Sequence, residues 1–163
     1  MYKRQVQHNS EETKNLLIEY DVNFGVIAGA RILKKSIIDL IKFGVLNFHP
    51  GLLPMIRGLD SIFWAIYKDI SIGVTAHLIT DKIDAGELVI QKKIMISSDD
   101  DIQKLHQKNY QLQLDLIPIS LNLITENKRF RSLKDSNHYN SRMPYNLQLE
   151  LRTMIEEYIK RFS

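Results

Sequence analysis

Apolar residues along this chain follow two rhythms: short near-continuous blocks and spaced stripes. Blocks at 24–27, 45–48, 72–79 and 87–96 predict strands. Stripes predict helices at 11–20, with Leu16, Leu17 and Tyr20 inward, and at 34–43, with Ile37, Ile38, Leu40 and Ile41. Ser10 is a natural N-cap for the first, and Gly44 a C-cap for the second. Residues 28–30, Ala-Gly-Ala, make a tight strand exit. The segment 24–48 therefore reads as β-α-β, long enough for a right-handed parallel crossover.

Residues 49–58 hold two prolines and two glycines and must form a loop. Asp60 or Ser61 caps a helix to about residue 68, with Ile62, Phe63, Ala65 and Ile66 inward. An acidic start at 97–101 opens a long helix ending near Thr125, which Pro118 should kink or split. Residues 128–144 are polar and irregular. Residues 145–162 form an amphipathic helix whose stripe (Leu149, Leu151, Met154, Tyr158) covers the core rather than a partner. The order α-β-α-β-α-β-β-α-α predicts an α/β fold with a mostly parallel sheet and antiparallel pairing near 72–96.

The 163 residues fit one domain, and 44% apolar with 25% charged is ordinary for a globular chain. The sequence has no Cys, which removes disulfides, a thiolate nucleophile and thiolate metal ligation. No apolar run approaches the roughly 20 residues of a membrane span. No apolar segment follows the basic start, so neither a signal peptide nor a membrane partner is expected, and the cytoplasm is the expected location. A net charge of +3 is too mild to imply nucleic acid.

Chemistry gathers at two places. Asn47 and His49 sit one residue apart as one block ends, and Asp84 follows the end of another. Ligands of open α/β sheets bind outside the carboxyl ends of strands. Taken singly, each residue has an ordinary reading as a turn or loop residue. Together they suit acyl transfer to an amine: an amide and an imidazole for the oxyanion, a carboxylate for the proton. Gly51 and Gly58 would let backbone approach a substrate, and Pro50 and Pro54 would stiffen the loop. A metal site from His49, His77 and Asp84 is the weaker reading, because Pro follows His49 and no close His pair lies on a helix face.

The string Asn47-Phe48-His49-Pro50-Gly51-Leu52-Leu53-Pro54-Met55-Ile56-Arg57-Gly58, with Gly73-Val74-Thr75-Ala76-His77 and Ile83-Asp84-Ala85-Gly86, resembles the folate-dependent formyltransferases. The likeness covers about 100 of the 163 residues, from Phe24 to Leu123. It implies a Rossmann-like formyltransferase domain over 10–127, a tail and helix over 128–163, and 10-formyltetrahydrofolate as cosubstrate with no metal. It matches Asn47, His49 and Asp84 to the family's catalytic set. It puts Arg31, Ile32 and Leu33, and Ile79, Thr80, Asp81 and Ile83, on the folate walls, and Gly51, Arg57 and Gly58 near the amine. His77 is read as support for the closing loop.

The family domain ordinarily has a strand, a helix and a further strand before Phe24, so the first strands are expected to be missing. Residues 1–9 are read as an artefactual or disordered start. GTG-TAT-AAG-AGA-CAG, with GTG as start codon, would encode Met-Tyr-Lys-Arg-Gln, and that string matches the end of a sequencing-library adapter. In glycinamide ribonucleotide enzymes a Lys and a Glu hold the nucleotide, where this chain has Tyr110 and Gln113. The methionyl-tRNA enzymes usually have Ser at Gly51 and carry a separate β domain. The tail 139–144 is more similar to that of enzymes acting on nucleotide-linked amino sugars, which is the preferred small-molecule acceptor. Methionyl-tRNA, glycinamide ribonucleotide, or an inactive ligand-binding fragment are the alternatives, and a homodimer is open.

Overall fold

A computed structural model describes residues 6–27, 32–126, 129–133 and 138–163. The strand exit at 28–30 and Arg31 lie outside the described residues. The elements are α1 (Glu11–Glu19), β1 (Gly25–Ile27), α2 (Lys35–Ile38), β2 (Val45–His49), α3 (Ser61–Tyr67), β3 (Gly73–Leu78), β4 (Gly86–Lys93), α4 (Ile102–Thr125), β5 (Arg131–Leu133) and α5 (Tyr145–Phe162). Ser10 caps α1 by accepting from the Thr13 N–H. Residues 6–9 precede it, and Asn9 bonds both the Ile32 carbonyl and the Lys34 N–H, so this part of the start packs with the domain.

The α/β class is as expected, but the sheet is mixed rather than mostly parallel. Its order is β1-β2-β3-β4-β5, with β1 and β2 parallel and the three remaining pairs antiparallel. The antiparallel β3–β4 pair is as expected, since its link is too short for a crossover; the difference lies in β2 pairing antiparallel with β3 and in β5 adding antiparallel to β4. The second helix is also shorter than its apolar stripe suggests. It closes after Ile38 with tight bonds from Leu40 to Ile37 and from Ile41 to Ile38, and Gly44 turns the chain into β2 at φ +81.

Helix α4 runs unbroken through Pro118. Pro118 and Leu114 are both exposed, so the Leu114 carbonyl that Pro118 leaves without a donor can bond water. The strand β5 was not legible, because three residues with two polar side chains carry no period. It pairs with the start of β4.

The core has two parts. Leu46, Ala76 and Ile124 are packed by Phe48, Leu78, Ile90 and Phe130. Ile56, Ile62, Ile66, Ile72, Leu105, Met143, Leu151 and Tyr158 join α3, α4 and α5. Helix α5 therefore lies on the core through Leu151 and Tyr158, whereas Leu149 is 41% exposed and off the packed face. Buried Tyr158 donates to the Ile70 carbonyl at 2.7 Å, and burial pushes its hydroxyl pKa up. Among the described residues no helix is long and apolar enough to cross a membrane.

Candidate active site

Strand β2 carries the first two groups. Alternation puts Asn47 and His49 on one face of it, and antiparallel pairing sets them beside His77 and Thr75 of β3. The Asn47 side-chain amide donates to His77 Nε2 at 3.1 Å. On its other nitrogen, His77 Nδ1–H donates to the Ala85 carbonyl at 3.1 Å. A carbonyl can only accept, so these partners fix the His77 tautomer and, through it, the Asn47 amide. His77 is 1% exposed, and burial, helped by repulsion from His49, lowers its pKa to about 4.

That depression has a stability consequence. Between an unfolded pKa near 6.5 and a folded value of about 4, the unfolded chain binds the proton and the folded one does not. Stability is therefore intact above pH 6.5 and falls as pH drops toward 4, by on the order of 3 kcal/mol from His77. Buried His49, also shifted down, adds to the same trend. Urea unfolding at pH 7 and pH 4.5 checks this. Equal stabilities at the two values would contradict it.

His49 is buried and held from both sides. Its Nε2–H donates to the Ile56 carbonyl at 2.7 Å, with Ser61 Oγ 3.4 Å from the same nitrogen. Its Nδ1 faces Asp84 Oδ1 at 3.4 Å. Burial lowers the His49 pKa, and the Asp84 charge opposes that shift. With Nε2–H committed to Ile56, a proton arriving at the pair settles between Nδ1 and Oδ1. Asp84 Oδ2 accepts the Gly58 N–H at 2.6 Å. Asp84 itself holds φ +47, a left-handed conformation that Asp tolerates better than most side chains.

The loop 50–58 is pinned from below by Thr75. Its hydroxyl donates to the Gly51 carbonyl at 2.6 Å and accepts from the Leu53 N–H and from Gln91. Gly51 is buried, and a Cβ there would stand 2.9 Å from His49 Nε2. Its small size serves the seat of His49. Arg57 is only 3% exposed. Gly51, Arg57 and Gly58, expected near the amine, lie outside the wall of the adjoining cavity.

That cavity, about 150 Å³, is lined by Ile27, Ile32, Leu33, Asn47, His77, Ile79, Thr80, Asp81, Lys82, Ile83 and Asp84. Every described residue read from the sequence as folate wall is there: Ile32, Leu33, Ile79, Thr80, Asp81 and Ile83. Asn47 and Asp84 share the wall, and His49 lies behind them, reaching the cavity through Asp84. Sequence reasoning missed Ile27 on the wall, and Ser61, Thr75 and Gln91 behind it. Ile27, as the last residue of a strand, was the one with a usable signal. A larger cavity, about 530 Å³ between α3, α4 and α5, holds none of the expected site residues. Among the described residues no three His, Cys, Asp or Glu side chains are grouped to hold a metal.

Residues 2–121 match the Formyl transferase family. This chain belongs to that family. As a formyl transferase family chain it is similar to the methionyl-tRNA formyltransferase of Fusobacterium nucleatum subsp. nucleatum, 34% identical over 115 residues, which are 70% of this chain and 36% of the relative. The chain spans about a third of the length of the first curated relatives it matches. Its fold overlays phosphoribosylglycinamide formyltransferase from Bacillus halodurans with TM-score 0.63 and 28% identity, over 72% of this chain and 62% of that one. It also overlays the formyltransferase PseJ from Anoxybacillus kamchatkensis, solved in complex with UDP-4,6-dideoxy-4-formamido-L-AltNAc and tetrahydrofolate. There the TM-score is 0.69 at 20% identity, covering 99% of this chain and 84% of that one.

Proposed function

We propose that this chain transfers a formyl group from 10-formyltetrahydrofolate to the primary amine of a nucleotide-linked amino sugar, in the cytoplasm. The observation that carries the reading is the His49–Asp84 pair at 3.4 Å, opening beside Asn47 onto one cavity. The lining suits the donor. Ile27, Ile32, Leu33, Ile79 and Ile83 offer apolar walls to a flat ring, and Ile32 and Ile83 are 65% and 47% exposed. Asn47, Thr80 and Asp81 supply polar partners. When bound, 10-formyltetrahydrofolate supplies a formyl carbon already activated on nitrogen.

The chain's own residues do the rest. Asn47, its amide held by His77, has a second N–H to offer an oxygen gathering negative charge. Asp84 faces the cavity and accepts a proton from the attacking amine. His49 backs Asp84 at Nδ1, so the proton is held by two groups and can be handed to the departing nitrogen.

The acceptor rests on the tail. The overlay with PseJ extends over nearly the whole chain, past residue 121 where the family match stops. Tyr110 is 62% exposed and Gln113 is bonded to Asn109, and neither brings the charge of the Lys and Glu expected for glycinamide ribonucleotide. A second reading, methionyl-tRNA as acceptor, is favoured by curated relatives 31–38% identical. A parallel assay with a UDP-linked 4-amino sugar, glycinamide ribonucleotide and charged initiator tRNA separates them. The expected product is the formamido sugar. Formylation of the tRNA alone would overturn the sugar reading.

A further inference from the structure

Residues 139–143 cross over the loop that enters α3, and their contacts there are dense. The Asn140 backbone N–H donates to the Arg57 carbonyl at 3.0 Å, and its side-chain Nδ2 donates to the same oxygen at 2.8 Å. The Asn140 carbonyl accepts the Leu59 N–H at 2.9 Å. Its side-chain oxygen accepts from Lys68 at 2.6 Å. The segment is tied down farther along as well. The Met143 N–H donates to Asp60, the Ser141 carbonyl accepts from Trp64, and the Met143 side chain is buried in the core with α5.

This is a one-residue parallel bridge, Gly58 to Asn140. Its geometry dictates what Gly58 can do. The carbonyl and the next N–H of a trans peptide point opposite ways, so with the Arg57 carbonyl and the Leu59 N–H both bonded to the strap, the N–H and carbonyl of Gly58 face away from it. The opposite way is the site, where that N–H meets Asp84 Oδ2 at 2.6 Å. A Cβ on Gly58 would lie 2.2 Å from the Asn140 carbonyl oxygen, so the two backbones touch with nothing between them.

We propose that Asn140 is a positioning residue of the active site: by gripping Arg57 and Leu59 it aims the Gly58 N–H at Asp84, and so sets Asp84 against His49. Asn140 lies beyond residue 121, so a segment outside the family match completes the geometry of the family's site. The kinetic part of this proposal rests on the formyl-transfer reading, and the spectroscopic part does not.

The test is Asn140→Ala, with Asn140→Asp as the variant that keeps side-chain shape and the Lys68 contact while replacing the Nδ2–H donor by an acceptor. The first readout is the His49 imidazole, followed by ¹⁵N NMR across a pH titration. The charged and titratable groups facing His49 are Asp84 from the β3–β4 loop, Arg57 from the loop before α3, and His77 from β3. In the folded variants the His49 midpoint moves to lower pH, because the carboxylate that favours its charged form is no longer held in place. In an Asp84→Asn background, Asn140→Ala adds no further shift. The second readout is kcat, which falls about 10- to 100-fold while both KM values stay within about threefold. An unmoved His49 midpoint in both folded variants, or an equal shift in the Asp84→Asn background, overturns the role of Asn140. Wild-type chain that transfers no formyl group rejects the function reading, and the His49 shift still decides this one.

Discussion

Asp84→Asn lowers kcat for formyl transfer by about a thousandfold and leaves the fold intact. The amide can keep both of the carboxylate's contacts. Its oxygen still accepts the Gly58 N–H, and its NH₂ can donate to the His49 Nδ1 lone pair. What disappears is the ability to accept the amine's proton in the cavity and share it with His49. The expected result is a variant with unchanged thermal unfolding and donor KM, and a kcat set only by Asn47 and by positioning. Steady-state kinetics beside a melting curve checks this. A variant within tenfold of wild-type kcat would remove Asp84 from the chemistry.

Gly58→Ala costs about 3 kcal/mol or more of stability and disables the site with it. Two effects combine. Gly58 sits at φ +93, where an L side chain is strained by about 1–3 kcal/mol. The added Cβ also meets the Asn140 carbonyl oxygen at 2.2 Å, and backbone on both sides cannot swing away as a side-chain tip could. The strap must lift or the loop must shift, and either one withdraws the N–H from Asp84. Gly25→Ala is the contrast: the nearest atoms there, at 3.2 Å or more, are side-chain ends of Val45 and Ile41. Urea unfolding of both variants checks the pair. A Gly58→Ala chain as stable as Gly25→Ala would show that the strap yields easily.

What the sequence made legible follows the reach of its signals. Asn47 and His49 stood out because an apolar block ends beside a Pro and a Gly, and a strand end is where an α/β sheet exposes chemistry. Helix α5 could be read to its ends from its period. Signals that depend on distant partners could not be read. Asp60 looks like an ordinary N-cap, yet it adopts φ +50 and gives its carboxylate to Met143, 83 residues away. Asn140 sits in a polar stretch with no period, and its meaning comes from Arg57, also 83 residues off. Arg57 taken alone reads as a solvated charge, and Gly51 and Arg57 were set near the amine by the family resemblance; both are buried, because the loop folds down over Thr75 and His49. Strand direction was legible in part: antiparallel pairing near 72–96 was expected and β3–β4 has it, whereas β2 and β3 are joined through α3, a connection that reads like a parallel crossover, and they pair antiparallel.

The most direct measurement is a single turnover with 10-formyltetrahydrofolate labelled with ¹³C in the formyl group, mixed with this chain and a UDP-linked 4-amino sugar, and followed by carbon NMR. The expected result is loss of the folate formyl signal and growth of one formamide signal on the sugar, absent when the chain carries Asp84→Asn. Label that stays on the folate, or appears as free formate at the same rate with and without the amine, would contradict formyl transfer to such a sugar at this site.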